Sequence, residues 1–277
     1  MRPMKKSAGF WKRKINVLAA VLLGLSVISC STVAFTGRNR LLLYSDTDIF
    51  SLSDQSYSQL MAASVRSSDT KCTVTVTEVG RRMTSALQAY LTATGQSDVL
   101  NGITWSFDLV KNSQANAFCL PNGRVVFYEG IMPVLDTPDL VAVVMGHEMG
   151  HVIARHGNER MSRQALVSLV GAVAGQAVGQ KTSQNVQALF EAAFSIGSEY
   201  GYLLPYSRKH EYEADEIGLY LMAIAGYDIS QATTLWTRMS QATAQSVPEY
   251  LSTHPSDANR IRHLEKLQDK ARSLIAR

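Results

Sequence analysis

His147-Glu148-Met149-Gly150-His151 carries the clearest chemical signal in this 277-residue chain. On a helix, side chains four apart lie about one turn apart on one face, so both imidazoles can reach a single ion at ~2.0–2.1 Å. Glu148 is rotated about 100° from His147 and stands beside such an ion, where its carboxylate can take a proton from attacking water. Gly150 removes a side chain and lets another backbone approach the helix closely. The competing reading is two solvated histidines on an amphipathic helix. It fits poorly with the preceding Leu140-Val141-Ala142-Val143-Val144, which predicts a buried helix. Two buried histidines and a buried glutamate need a shared partner to offset their desolvation. The pattern therefore points to zinc, with Glu148 as general base.

A catalytic zinc takes three protein ligands and keeps one position open. Downstream, Ser207-Arg208-Lys209-His210-Glu211-Tyr212-Glu213-Ala214-Asp215 supplies candidates on a second predicted helix. Glu211 and Asp215 are four apart and share a face, whereas Glu213 points away from Asp215 by roughly 160°. Glu211 is read as the third ligand and Asp215 as the hydrogen-bond partner of a histidine ligand. The alternative is a solvated acidic helix face. The other histidines receive lesser roles. His156, five beyond His151, rotates off the ligand face and is assigned to capping the helix C-terminus. His210 immediately precedes a ligand and is assigned to the surface, and His263 to a solvated helix position.

Helices must present these groups. Thr137-Pro138-Asp139 announces one that runs to about Arg155: a capping hydroxyl, proline at the first helical position and an acid in the first turn. Helical spacing is also predicted from Ser56, with a break near Asp69-Thr70, and over 183–196, 207–225, 230–244 and 256–276. Residues 103–110 alternate like a strand, and 115–119 with 124–128 flank the turn signal Leu120-Pro121-Asn122-Gly123 as a hairpin. The pattern predicts an α+β domain, mostly helical with one small sheet. Gly171, Gly175 and Gly179 recur at four-residue spacing in an apolar stretch that is too short, and too broken by Gln176 and Gln180, to span a membrane. Close helix packing is the first reading of that face, a lid over a cleft the second, membrane contact the third.

With 46% hydrophobic and 18% charged residues the chain reads as an ordinary globular protein. Its net charge of +4 is misleading, because Arg2, Lys5, Lys6, Lys12, Arg13 and Lys14 stand in an acid-free N-terminal segment. The remainder holds 21 basic and 23 acidic residues, which removes the electrostatic case for nucleic-acid binding. A basic stretch, an apolar run over 15–28 and a small residue have the layout of a secretory signal, shorter than the ~20 residues a span needs. The run ends Val27-Ile28-Ser29-Cys30, which resembles a bacterial lipobox and implies cleavage before Cys30 with diacylglycerol on its sulfur. A signal anchor, or cleavage elsewhere, is the alternative. Ser31 in place of an aspartate favours the outer membrane. The expected organisation is a signal peptide over 1–29, a lipidated cysteine and tether over 30–55, and a metallopeptidase domain over 56–277. Cys72 and Cys119 form either a disulfide or two buried free thiols.

The ordered motifs, H-E-M-G-H at 147–151 and S-R-x-x-E-x-E-A-D at 207–215, resemble the HtpX-like and CAAX-prenyl-protease family of gluzincins. Asn116-Ala117-Phe118, Arg155-His156, Glu159-Arg160 and Ser252-Thr253-His254-Pro255 with Arg260-Ile261 agree, so the likeness covers 115–267. It implies a zincin-like fold with one zinc per chain on His147, His151 and Glu211, and Glu148 as general base. It implies that Asn116 holds substrate backbone extended at a sheet edge. His254 would lie near the metal, either donating to the substrate carbonyl or capping the zinc at rest. With no further apolar spans and no helical-repeat extension, the chain resembles the compact periplasmic lipoprotein branch, anchored to the bacterial outer membrane, whose members act on misfolded or unassembled envelope proteins. The implied function is a zinc endopeptidase of the bacterial envelope. The rival is a zinc-bound holdase or assembly factor that rarely cuts, against which the intact Glu148 weighs.

Overall fold

The computed structural model describes residues 29–173, 186–194, 207–242, Tyr250, His254 and 258–275. The apolar run at 15–28 and the small-residue positions Gly175 and Gly179 lie outside the described residues. Strands β1 (Ser29–Thr32) and β2 (Asn39–Leu42) form an antiparallel hairpin. Helices α1 (Asp46–Ala63) and α2 (Thr70–Ala93) follow, each opened by a side-chain cap. A three-stranded sheet comes next: β3 (Ser106–Val110), β4 (Ala117–Cys119) and β5 (Arg124–Tyr128). Its order is β3-β5-β4, with β3 parallel and β4 antiparallel to the central strand, so β4 is an edge. The rest is helical: α3 (Pro138–Ile153), α4 (His156–Val173), α5 (Val186–Phe194), α6 (Arg208–Ile224), α7 (Gln231–Ala242) and α8 (Ala258–Ile275). The fold is α+β, as expected. Among the described residues no helix is long and apolar enough to cross a membrane.

Helix α3 runs through the centre of the core, and residues 140–153 are buried throughout. Thr137 caps it, its side chain accepting from the Leu140 N–H at 3.3 Å; losing such a cap costs about 1 kcal/mol. Glycines set how closely α6 crosses it. A methyl group on Gly146 would stand 2.9 Å from the Gly218 carbonyl oxygen, and one on Gly150 2.8 Å from that of Ala214. The close backbone approach expected at Gly150 is therefore real, and it brings Glu211 and Asp215 onto the metal helix.

One expectation needs correction. Residues 30–55 do not form a tether: Val33, Ile49 and Phe50 are buried, and α1 starts at Asp46, its cap Ser45 accepting from Asp48 N–H. The strands of the hairpin, four residues each, are too short to show a period in sequence. The helix carrying the two histidines ends close to the expected Arg155, in a sharp turn. It ends at Ile153, and Arg155 adopts φ +57°, in the left-handed region. That conformation costs an arginine about 1–2 kcal/mol. Hydrogen bonds from its guanidinium to Asp46 (2.9 Å), the Val152 carbonyl (3.1 Å) and the Val99 carbonyl (3.3 Å) hold it there. Cys72 and Cys119 are both free thiols.

Candidate metal centre

Side-chain atoms of His147, His151, Glu211 and His254, all buried, lie within 4.8 Å of one another. His147 Nε2 is 3.1 Å from His151 Nε2 and 3.1 Å from His254 Nδ1. Glu211 Oε1 is 3.3 Å from His254 Nδ1 and 3.5 Å from His151 Nε2, and its Oε2 is 3.4 Å from His147 Nε2. A tetrahedral ion with bonds of ~2.0–2.1 Å sets its ligand atoms ~3.4 Å apart. The donor set of imidazole nitrogens and a carboxylate oxygen, at these spacings, fits zinc. Helix α3 supplies two of the groups and α6 the third. His254 comes from a later segment, and its N–H donates to the Tyr250 carbonyl at 2.9 Å.

His147 Nδ1 meets Asp215 Oδ1 at 2.9 Å, the partnership expected from the four-residue spacing. Arg260 of α8 holds Asp215 with two hydrogen bonds of 2.7 Å, from Nε and Nη2, and its Nη1 lies 2.9 Å from Glu211 Oε2. Its guanidinium also stacks 3.8 Å above the Trp236 ring. Burial opposes a proton on His147, but hydrogen bonds to Asp215 and Glu211 outweigh it and raise the group to about 9. The same carboxylates raise its affinity for a metal cation. Burial would raise the Glu211 and Asp215 carboxyls; the cationic surroundings instead hold both below the ordinary carboxylate range. Burial, aided by the neighbouring His147 and His156, pushes His151 well below the usual histidine range despite Glu211, which leaves it neutral.

Glu148 lies beside this cluster, its Oε1 3.4 Å from His254 Nε2 and accepting from the Tyr250 hydroxyl at 3.1 Å. Burial raises the Glu148 carboxyl, bringing its proton affinity nearer to what a general base needs at neutral pH. Burial likewise keeps the Tyr250 phenol protonated, hence a donor. Asn116 is placed differently from the ligands. It precedes the edge strand β4 with its Oδ1 accepting from the Ala117 N–H at 2.9 Å, and the neighbouring Ala115 carbonyl accepts from the Tyr250 N–H at 2.9 Å. Cys30 lies in β1, away from these residues in sequence.

Two histidines were misassigned from the sequence. His156 does not cap the helix in solvent; it is fully buried, with Nδ1 2.9 Å from His151 Nδ1 and Nε2 2.8 Å from Glu213 Oε2. His210 is not on the surface; its ring stacks on His156 at 4.3 Å, and its Nε2 is 3.3 Å from Glu159. The turn at Arg155 causes both errors, because it swings His156 back against His151. Tyr250 and Arg260 reach the site from distant segments and received no role from the sequence; Arg260 was visible only as part of the late Arg260-Ile261 motif. His263 is half-exposed on α8, its ring tilted against Tyr212 at 5.1 Å.

Comparison with known proteins agrees with this geometry. The chain is 36% identical over 182 residues to the mitochondrial metalloendopeptidase OMA1 of Schizosaccharomyces pombe, covering 65% of this chain and 50% of that protein. It is 32% identical to the human mitochondrial metalloendopeptidase OMA1, covering 62% of this chain and 34% of that protein. It is 27% identical to the β-barrel assembly-enhancing protease of Escherichia coli, covering 61% of this chain and 35% of that protein. The chain thus spans half or less of the length of these relatives. The resemblance read from the motifs holds at the level of the peptidase family and is redirected within it, from HtpX-like and CAAX-type members toward these proteins. The model of peptidase family M48 matches residues 77–268, most of the chain, and the chain belongs to that family, whose metallopeptidases use zinc.

Proposed function

We propose that this chain is a zinc-dependent endopeptidase in which His147, His151 and Glu211 hold the metal and Glu148 is the general base. The observation that carries the reading is the buried donor cluster with a raised-pKa carboxylate directly beside it. When bound by these residues, zinc would supply the Lewis acidity that such a hydrolysis needs. Glu148 takes the proton of the attacking water and returns it to the leaving amine, and the Tyr250 hydroxyl holds the carboxylate in place. Asp215 orients His147. The edge strand β4, which follows Asn116, offers a rim on which an extended segment can pair.

His254 has its Nδ1 among the donors, which supports a fourth ligand at rest in preference to an oxyanion donor. Every donor of the cluster is buried, and the Ala115 carbonyl ahead of β4 already accepts from the Tyr250 N–H.

The substrate class we propose is misfolded or unassembled protein of the bacterial envelope. The E. coli relative named for β-barrel assembly supports it, as does the lipobox-like Val27-Ile28-Ser29-Cys30, from which we propose lipid attachment at Cys30 to the outer membrane. Mass spectrometry of the mature chain should find an acylated N-terminal Cys30, and an unmodified Cys30 would remove the anchor.

Incubating unfolded protein with the purified chain tests the activity. Fragments should accumulate, stop on chelation and resume when zinc is restored. Suppressed aggregation with no fragments would establish a zinc-bound holdase instead.

A further inference from the structure

The Nδ1 of His147 meets the Asp215 carboxylate, whereas that of His151 meets a second imidazole. His151 Nδ1 faces the Nδ1 of His156 at 2.9 Å, and the other nitrogen of His156 faces Glu213 Oε2 at 2.8 Å. An ionised carboxylate only accepts, so His156 donates from Nε2. A neutral imidazole carries a single N–H, so His156 Nδ1 must then accept, and the donor to it is His151 Nδ1–H. That assignment leaves the lone pair of His151 on Nε2, the nitrogen that stands 3.1 Å from His147 Nε2. The reverse tautomer would aim an N–H at the position a metal has to take.

We propose that His156 and Glu213 are a positioning pair for the metal centre, a relay that fixes the tautomer and ring orientation of His151. The far end of the relay is anchored by the N-terminal hairpin. Thr36 Oγ1 donates to Glu213 Oε1 at 2.6 Å and Arg38 Nε donates to Oε2 at 2.7 Å, so hydrogen bonds hold both carboxylate oxygens. Arg38 also grips Glu159 through Nη1 at 3.0 Å and Nη2 at 2.7 Å. The His210 ring, stacked on His156 at 4.3 Å, walls off the other side.

The backbone is shaped to the same end. In an unbroken helix a residue five beyond His151 would lie ~140° away around the axis. The left-handed turn at Arg155 brings the His156 ring to a centroid distance of 4.9 Å from that of His151. The segment that reads as a featureless tether thus completes the outer sphere of the metal site. This inference rests on His151 being a zinc ligand, and the test separates the two.

Zinc affinity of the purified full chain, measured by competition with a chromophoric chelator, is the readout, with the absorption spectrum of the cobalt-substituted chain as a second. His156→Leu should weaken zinc by ~10–100-fold and alter the cobalt spectrum. His156→Asn, which can place an oxygen where Nδ1 stood, should recover most of that loss. Glu213→Leu should weaken zinc as well, and adding it to His156→Leu should cost nothing further, because Glu213 acts through His156. A folded His156→Leu chain with affinity within about twofold of wild type overturns the relay, as do additive losses in the double variant. Where His156→Leu fails to fold, Glu213→Gln against Glu213→Leu decides. The amide oxygen can still accept from His156, so glutamine should retain affinity and leucine should not, and equal affinity overturns the proposal. His151→Ala runs alongside: unchanged zinc affinity there would show that the ligand assignment itself fails, and the relay with it.

Discussion

The two imidazoles of the metal helix are one turn apart, yet they are held by opposite ends of the chain. His147 leans on Asp215, which Arg260 of the C-terminal helix grips with two hydrogen bonds. His151 leans on Glu213 through His156, and Glu213 is gripped by Arg38 and Thr36 of the N-terminal hairpin. Both carboxylates come from α6, which also delivers Glu211 to the donor cluster. Because Glu213 points away from Asp215 by roughly 160°, it can serve the second histidine only through an intervening ring. One helix therefore supports both ligands, but on one side directly and on the other through a relay. The two clamps also differ in depth, with side-chain exposure of 1% for Arg260 and 14% for Arg38.

The largest effect should come from the metal donors themselves. His147→Ala or Glu211→Ala should abolish zinc retention through gel filtration, read by metal analysis; a chain that keeps a full equivalent would show that the centre lies elsewhere. Next in size is Arg260→Leu, which strands two buried carboxylates and should lower stability in urea by about 3–5 kcal/mol. Arg38→Leu should cost less, about 1–3 kcal/mol, because Arg38 is nearer water and Glu159 keeps Arg163 at 2.6 Å. Equal losses for the two arginines would erase the difference in depth between the clamps. The smallest effect on metal binding belongs to His254→Ala. As a resting fourth donor, His254 should leave zinc somewhat weaker when removed, with activity kept or raised. A fall in turnover of ~10²–10³ with unchanged zinc affinity would assign it to the oxyanion instead.

The difference between the clamps also explains what could be read from the residues. His147, His151, Glu211 and Asp215 are linked by four-residue spacings, and a helix turns such a spacing into a shared face wherever it stands. Thr137-Pro138-Asp139 marked the start of α3 because capping chemistry is local. The relay side depends on contacts that no local rule carries. Neither Gly nor Pro stands at Arg155 to signal its left-handed turn, so helical rotation seemed to carry His156 away from His151. A left-handed arginine is stable there only because Asp46, Val99 and Val152 hold its side chain. Thr36 and Arg38 lie on a hairpin too short to show a period, and they meet Glu213 only in the folded chain. Tyr250 is likewise placed by the fold, and nothing adjacent to it in sequence points to Glu148.

The proposed peptidase is tested most directly by Glu148→Gln, compared with wild type for bound zinc and for cleavage of an unfolded protein. The substitution preserves shape and leaves His147, His151 and Glu211 in place, so zinc should remain at about one equivalent while turnover falls by at least ~100-fold. Cleavage by a zinc-loaded Glu148→Gln chain at the wild-type rate, with contaminating protease excluded, would contradict Glu148 as the general base.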